Sequence, residues 1–406
     1  MVALLSGTAT AAYMCRVNVS TAGVMLMDEF DLSQAEMGRV FSAFLLGYAL
    51  LQIPAGALAD RWGARRVLAV AAWLWVGATV MQALVGWGPF ESTLASAATV
   101  FIAWRFVLGI AEAPTFPGAG QGVSRWVLPR YQGRANGIII GAIGLGSALT
   151  PPLVSNVMVR WGWRAALLAS AVPALAIALL WLRAKEPPVV QASVPADALA
   201  RNESAAAPSL RTRSFALLSL SYTLQGYVGY IFVSWFYLYL VQERGFSVLS
   251  GAWMSSLPWV LSIISIPLGG WVSDRLAAGR MGHVWGRRVV PMVGMGLSGV
   301  LISVGAHTLS AVVAALTLAV ATALVLCVEG PFWATMMSVS GSRSGTAGGI
   351  MNMGSNLGGL VSPALTPILA TVIGWENALH IAAALSVVAA IAWLGVRPGS
   401  GRADLS

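Results

Sequence analysis

The sequence predicts an all-α integral membrane protein of twelve transmembrane helices, arranged as two pseudo-symmetric six-helix bundles. Three observations carry that expectation. Only 10% of the 406 residues are charged and 57% are hydrophobic, whereas a soluble chain carries about 25% charged residues. So little polarity cannot clothe a water-facing surface, which argues against a soluble enzyme, a disordered chain or a collagen-like one. The apolar residues gather into twelve stretches of roughly the 20 residues that a bilayer core requires. The last six stretches repeat features of the first six.

In chain order the stretches are 4–27, 37–59, 67–88, 94–118, 135–158, 164–183, 214–241, 249–273, 289–307, 310–339, 346–373 and 376–396. Each is apolar on most faces, as a lipid-embedded helix is. Membrane strands would show short alternating segments instead. The first stretch starts almost at Met1 without a basic leader, so it does not read as a cleaved signal peptide. The longest polar interval reads as a cytoplasmic linker, 185–213. It separates an N-terminal bundle (1–184) from a C-terminal bundle (214–397), with a short cytoplasmic tail at 398–406.

Charge fixes the orientation. The net charge is +9, from 24 basic and 15 acidic residues. In a soluble protein this would point to nucleic acid; here no nucleic-acid partner is expected. Of the 24 basic residues, 18 fall in the even-numbered connections and the tail, among them Arg61, Arg65, Arg66, Arg125, Arg130, Arg134, Arg275, Arg287 and Arg288. The odd-numbered loops hold Arg160, Arg164, Arg244 and, at a helix entry, Arg39; the first carries Asp28, Glu29, Asp31 and Glu36. Cytoplasmic loops accumulate Arg and Lys, so both termini are expected in the cytoplasm. Cys15 and Cys327 both lie in apolar stretches, which argues against a disulfide framework.

The halves are related. Residues 137–167 align without gaps on 349–379, with Gly137/Gly349, Gly146/Gly358, Pro151/Pro363, Trp163/Trp375 and Leu167/Leu379 identical. The pair Asp60-Arg61 after the second stretch is matched by Asp274-Arg275 after the eighth, each followed by a Gly and two arginines. A parallel duplication of six helices is the plan of one large transporter class, with the substrate held near the midplane between the halves.

The segment G-A-L-A-D-R-W-G-A-R-R, Gly56 to Arg66, resembles the loop 2–3 signature of the major facilitator superfamily. Gly56, Asp60, Arg61, Gly63, Arg65 and Arg66 would then form a cytoplasmic gate motif, echoed by Asp274 and Arg275. Within that family the chain resembles the anion:cation symporter branch, which includes bacterial sugar-acid permeases, sialin and the vesicular glutamate transporters. The carrying residues are F-S-A-F-L-L-G-Y-A-L-L-Q-I-P-A-G from Phe41, R-F-V-L-G-I-A-E-A-P-T-F-P-G from Arg105, and R-V-N-V-S from Arg16. The match is closest in helices 1 to 5. The resemblance implies a multi-pass protein of a cell membrane, of the bacterial inner-membrane kind.

Four charged residues stand at membrane depth: Arg16, Arg105, Glu112 and Glu329. Each costs roughly 2.5–3.5 kcal/mol there, so each calls for a reason. Arg105 and Glu112 are seven residues apart, two helical turns, hence on one face, with Gly109 between them keeping that face open. Such a face can hold an anion at Arg105 while Glu112 exchanges a proton; Glu112 can equally pair with an arginine of another helix. Arg16 offers a planar fork suited to a carboxylate or serves as a packing counter-ion. The resemblance implies proton coupling at the helix-4 glutamate and anion contact or gating at the helix-4 arginine. It departs at Cys15, where bacterial sugar-acid symporters of this branch usually carry an acid. Glu329, before a Gly-Pro pair that breaks a helix, either supplies a second proton site or neutralises Arg16 or Arg105. Tyr48, Gln52, Tyr230, Ser355 and Asn356 complete a candidate substrate pocket; each could equally be a helix–helix hydrogen bond.

No metal-ligand spacing, ATP-binding phosphate loop or nucleophile–base constellation is found. The chain is therefore expected to be a transporter, not an enzyme, needing no cofactor beyond a coupling ion, H+. The expected function is secondary transport of a small organic anion by alternating access, through a protein that works as a monomer in the lipid bilayer. Alternatives are an exporter of drugs or metabolites, an uncoupled or exchange carrier of organic anions, or a receptor, which would need an output domain.

Overall fold

The computed structural model describes residues 1–87, 96–184 and 210–398. Most of the expected linker and tail lies outside the described residues. Among those described, every regular element is a helix. We number twelve crossings. α1 is Val2–Glu29, α2 Gln34–Trp62, α3 Ala64–Ala83 and α4 Ala97–Trp126. A 55-residue helix, Pro129–Arg183, is interrupted at Gly162 and so gives α5 (129–161) and α6 (163–183). α7 is Arg213–Ser234, prolonged by Phe236–Leu238 and a π turn at Tyr239–Glu243. α8 is Val248–Ala278, α9 Gly282–His307 and α10 Ala311–Ser340. Ser344–Ala392 is interrupted at Gly374 into α11 (344–373) and α12 (375–392).

Local chemistry sets these boundaries. α2 opens on a capping box in which Ser33 Oγ accepts from the Glu36 amide (3.2 Å) and Glu36 Oε2 from the Ser33 amide (2.9 Å). Ser96, Thr212, Ser247 and Ser310 cap α4, α7, α8 and α10 by their side-chain oxygens, each accepting from a first-turn amide and contributing about 1 kcal/mol. Gly162 (φ 81°) and Gly374 (φ 85°) occupy the left-handed region that a side chain would strain. They stand at equivalent points of the two halves, each before a tryptophan. α9 begins earlier than the apolar run predicts. Arg287 and Arg288 are therefore helical rather than in a loop; Arg287 pairs with Asp274, and Arg288 is buried with its Nε donating to the Val396 carbonyl (2.6 Å).

The halves pack alike: α1 lies against the α5–α6 arm and α7 against the α11–α12 arm. At the acidic-loop end Glu29 ties three elements together. Its carboxylate accepts from Trp163 Nε1 (2.5 Å) and Arg164 Nη1 (2.7 Å), and Arg164 Nη2 donates to the Val85 carbonyl (3.0 Å). In the other half Arg244 donates to the Gly305, Ala306 and Thr308 carbonyls, closing the end of α9.

The bundles meet through α2 on α11 and α5 on α8. Their described hydrogen bonds run from midmembrane toward the acidic-loop end: Asn356 to Gln52 (3.1 Å), Ser42 to the Leu360 carbonyl (2.8 Å), Ser256 to the Ala148 carbonyl (2.7 Å) and Gln242 to Met27 Sδ (3.9 Å). On the same helices Ile53, Ile138 and Ile264 belong to exposed apolar stripes, the sides that face lipid. The described ties between the bundles thus lie at midmembrane and at the acidic-loop end.

Gly38 makes the tightest of these approaches, since an added Cβ would stand 2.3 Å from the Pro363 carbonyl oxygen. Gly38→Val is expected to disfavour this closure by about 1–3 kcal/mol, roughly fivefold or more in the ratio of closed to open forms. Cysteine labelling at the acidic-loop end should speed up accordingly. Labelling as slow as in the parent would show that the contact does not control closure.

Candidate transport site

Arg16 stands midway along α1 and is 5% exposed; Glu112, on α4, is fully buried. Arg16 Nε and Nη2 both donate to Glu112 Oε2 (3.1 and 3.0 Å), and Nη1 donates to Tyr13 Oη (3.1 Å). The guanidinium also lies 4.4 Å from the Tyr13 ring centroid, 4.7 Å from Phe44 and 4.9 Å from Tyr48. Aromatic faces stabilise a desolvated cation, so the ion pair sits inside an aromatic cage. Glu112 Oε1 has no partner among the protein atoms. One carboxylate oxygen is thus engaged and the other is free.

Arg105 and Glu112 share a face of α4, as their spacing predicts, and both reach α1 at Arg16. Arg105 Nη1 and Nη2 donate to the carbonyls of Cys15 (3.2 Å) and Arg16 (2.9 Å). The Val19 amide, four residues beyond Cys15, donates to Asn18 Oδ1 (2.7 Å). Arg105 is first a clamp on α1, with Nε left unpartnered. Gly109 does not leave space: an added Cβ would stand 2.0 Å from the Phe44 carbonyl oxygen. It brings α2 and α4 together. Arg16, Arg105, Ser20, Phe44, Tyr230 and Ser234 line a cavity of about 20 Å³, room for about one water molecule.

The second bundle repeats this arrangement with one change. α4 breaks just after Glu112, at Ala113-Pro114, and α10 breaks at Val328, just before Glu329-Gly330-Pro331. Tyr13-x-x-Arg16 on α1 faces Glu112; Tyr222-x-x-Gln225 on α7 faces Glu329. Tyr222 Oη donates to Glu329 Oε2 (2.9 Å) and Gln225 Nε2 to Oε1 (3.0 Å). Glu329 is thus held by neutral donors on its own bundle. Glu112, not Glu329, is the carboxylate that pairs with Arg16, because Gln225 occupies the place where an arginine would bind Glu329.

The other expected residues divide. Tyr48 and Tyr230 stand beside Arg16. Gln52 and Asn356 are bound to one another across the bundles, the helix–helix alternative. Ser355 packs its backbone and hydroxyl on Gly226 of α7, away from the arginines. In the loop motif Gly63 (φ 82°) joins α2 to α3, and Arg65 donates to the Leu182 carbonyl (3.2 Å). Arg61 and Arg66 are exposed. Asp60's side chain lies outside those described. Gly56 meets Pro117 at an ordinary 3.7 Å, so the forced α2–α4 approach is at Gly47 and Gly109 instead. Asp274 accepts from Arg287, and Arg275 lies over the Trp271 ring. Sequence reading missed Tyr13, Phe44, Tyr222 and Gln225. The repeated Tyr-x-x and Glu-x-Pro patterns were the available signal.

Arg16→Leu leaves a buried carboxylate without its counter-ion and is expected to cost about 3–5 kcal/mol, while Arg16→Leu/Glu112→Leu recovers most of it. Thermal unfolding in detergent reads both. A double variant no more stable than the single would show that the pair is not the source of the loss.

Comparison with known proteins agrees with this architecture. A family profile described as Major Facilitator Superfamily matches residues 4–341 and 276–405. "Probable sulfoacetate transporter SauU" of Cupriavidus necator is 31% identical over 401 residues, covering 95% of this chain and 91% of that protein. The hexuronate transporter of Bacillus subtilis is 28% identical, covering 96% and 92%. Among solved structures, a bacterial homologue of the human lysosomal transporter Spinster, inward-facing and occupied, superposes with a TM-score of 0.78 at 19% identity over 97% of this chain and 95% of that one. The D-xylose–proton symporter gives 0.78 at 16% identity over 98% of each. The chain therefore belongs to the Major Facilitator Superfamily and is a membrane transporter, not an enzyme.

Proposed function

We propose that the chain imports a small organic anion together with protons, by alternating access, in the cytoplasmic membrane of a bacterium, with both termini in the cytoplasm. The observation that carries the reading is the sealed Arg16–Glu112 pair at the wall of the central cavity. Support for the anion class comes from relatives named as transporters of sulfoacetate, hexuronate and D-galactonate. The arginine-rich loops give the orientation, and in that orientation the described ties between the bundles lie at midmembrane and on the outer side.

The cycle follows from competition for one guanidinium. In the form open to the outside, the substrate carboxylate takes the Arg16 fork, a bidentate geometry that arginine favours. Glu112, displaced into an apolar setting, takes a proton, because burial without a counter-ion disfavours the charged form. Arg105 offers its free Nε. Tyr48 and Tyr230 close the site, and Gln52 and Asn356 join the bundles around it. The halves then rock about the midplane, the anion leaves inward, and Glu112 sheds its proton as it rejoins Arg16. Glu329 is the further proton-exchanging carboxylate. The Gly56–Arg66 motif and Asp274-Arg275 act at the cytoplasmic gate. Each chain holds a complete site, so the monomer is the working unit.

Uptake into proteoliposomes tests this. An inwardly directed proton gradient should accelerate uptake of a carboxylate substrate at least tenfold. Glu112→Gln should lose that acceleration while still exchanging substrate across the membrane. Gradient-driven uptake by Glu112→Gln equal to the parent's would remove Glu112 from the coupling.

A further inference from the structure

The second carboxylate bears on which anions the site accepts. The membrane interior holds two cations, Arg16 and Arg105, and two carboxylates, Glu112 and Glu329. With all four ionised the empty chamber is neutral. Tyr13 links the two halves of this set, lying within electrostatic range of Arg16, Glu112 and Glu329 together. Other titratable groups facing Glu112 are Cys15, Arg105, Tyr48 and Tyr230; Tyr222 faces Glu329. The tyrosines and Cys15 are neutral, so the four named charges make up the balance.

A chamber that crosses a low-dielectric layer moves most readily when neutral. One anionic group entering is balanced by one proton on a carboxylate. Glu112 alone suffices for a monoanion. The structure keeps a second carboxylate at the same depth, on the duplicated Glu-x-Pro break, and gives it Gln225 where the first has an arginine. Among the described residues no side-chain cation pairs with it directly. Arg105 meanwhile keeps an unpartnered, buried Nε on the cavity wall that also carries Arg16. There are thus two cationic donors for two anionic groups, and two carboxylates to receive the compensating protons.

We propose that the transported species is a dianion, a compact molecule with two acidic groups, carried with two protons. This rests on the proton-coupled anion reading above and specifies its substrate class. One acidic group takes the Arg16 fork and the other Arg105 Nε. Two O–H bonds form, one on Glu112 and one on Glu329, with protons from the entry side, and both break on the exit side. Both the loaded and the empty chamber then carry no net charge, and one turn moves no net charge across the membrane.

Purified protein in proteoliposomes, with the dianions succinate, sulfoacetate and glucarate and the monoanions glucuronate, galactonate and benzoate as probes, tests this. A dianion should compete at least tenfold better than a monoanion of similar size. Its gradient-driven uptake should be unchanged by an inside-negative potassium diffusion potential. Glu329→Gln, which keeps partners for Tyr222 and Gln225, should make dianion uptake slow under that potential, because one negative charge now enters per turn. The parent's proton-to-substrate ratio, obtained by balancing a pH gradient against a substrate gradient, should be two and needs no variant. Preference for monoanions, a ratio of one, or potential-independent dianion uptake by Glu329→Gln would overturn the proposal while leaving proton-coupled anion import intact. Uptake of no anion under any gradient would overturn both.

Discussion

A guanidinium and a carboxylate buried together in a bilayer constrain everything around them. Neither Arg16 nor Glu112 is tolerable there alone, and the pair is tolerable only with its remaining hydrogen-bonding groups arranged. Tyr13 takes the third nitrogen of Arg16, and Tyr13, Phe44 and Tyr48 supply ring faces. Arg105 then holds the α1 backbone at the level where the pair forms. Gly47 and Gly109 bring the α2 and α4 backbones close enough to complete the cage. The glycine-rich packing of the first bundle serves this one contact.

The second bundle shows what the same frame does without the cation. Its helices follow the same order, break at an equivalent glutamate and carry a tyrosine at the matching place on the inner helix. Replacing arginine by Gln225 turns an ion pair into a hydrogen-bonded carboxylate. That glutamate is half-buried, whereas Glu112 is wholly buried. Two bundles of one fold thereby present unlike surfaces to a substrate between them, one cationic and one acidic.

The fold was largely legible from the sequence because lipid imposes its own grammar. Length and hydropathy alone find the crossings, and arginine placement sorts their ends. The boundaries read between 158 and 164 and between 373 and 376 hold Gly162 and Gly374; what the sequence did not show is that each connection is one left-handed glycine within a nearly continuous helix, since a single glycine gives no turn signature of its own. At the site, the seven-residue spacing correctly put Arg105 and Glu112 on one face. It could not show that Arg105 spends two donors on the Cys15 and Arg16 carbonyls, because that depends on how α4 packs on α1. Gln52 and Asn356 are individually ambiguous, and only the meeting of α2 with α11 pairs them. For Glu329 the sequence left two readings, a second proton site or a neutralising partner for an arginine, because charge counting ignores which helix faces which; its described partners are Tyr222 and Gln225.

The glycine breaks have a mechanical meaning. α5 and α11, two of the four helices that touch the opposite bundle, are each joined to an outer helix through one residue in place of a loop. Fixing a flexible residue costs about 1–2 kcal/mol of conformational entropy. A hinge of one already ordered glycine has almost nothing to order or release as the arm swings. The connections of these two arms thus contribute little to the temperature dependence of the cycle.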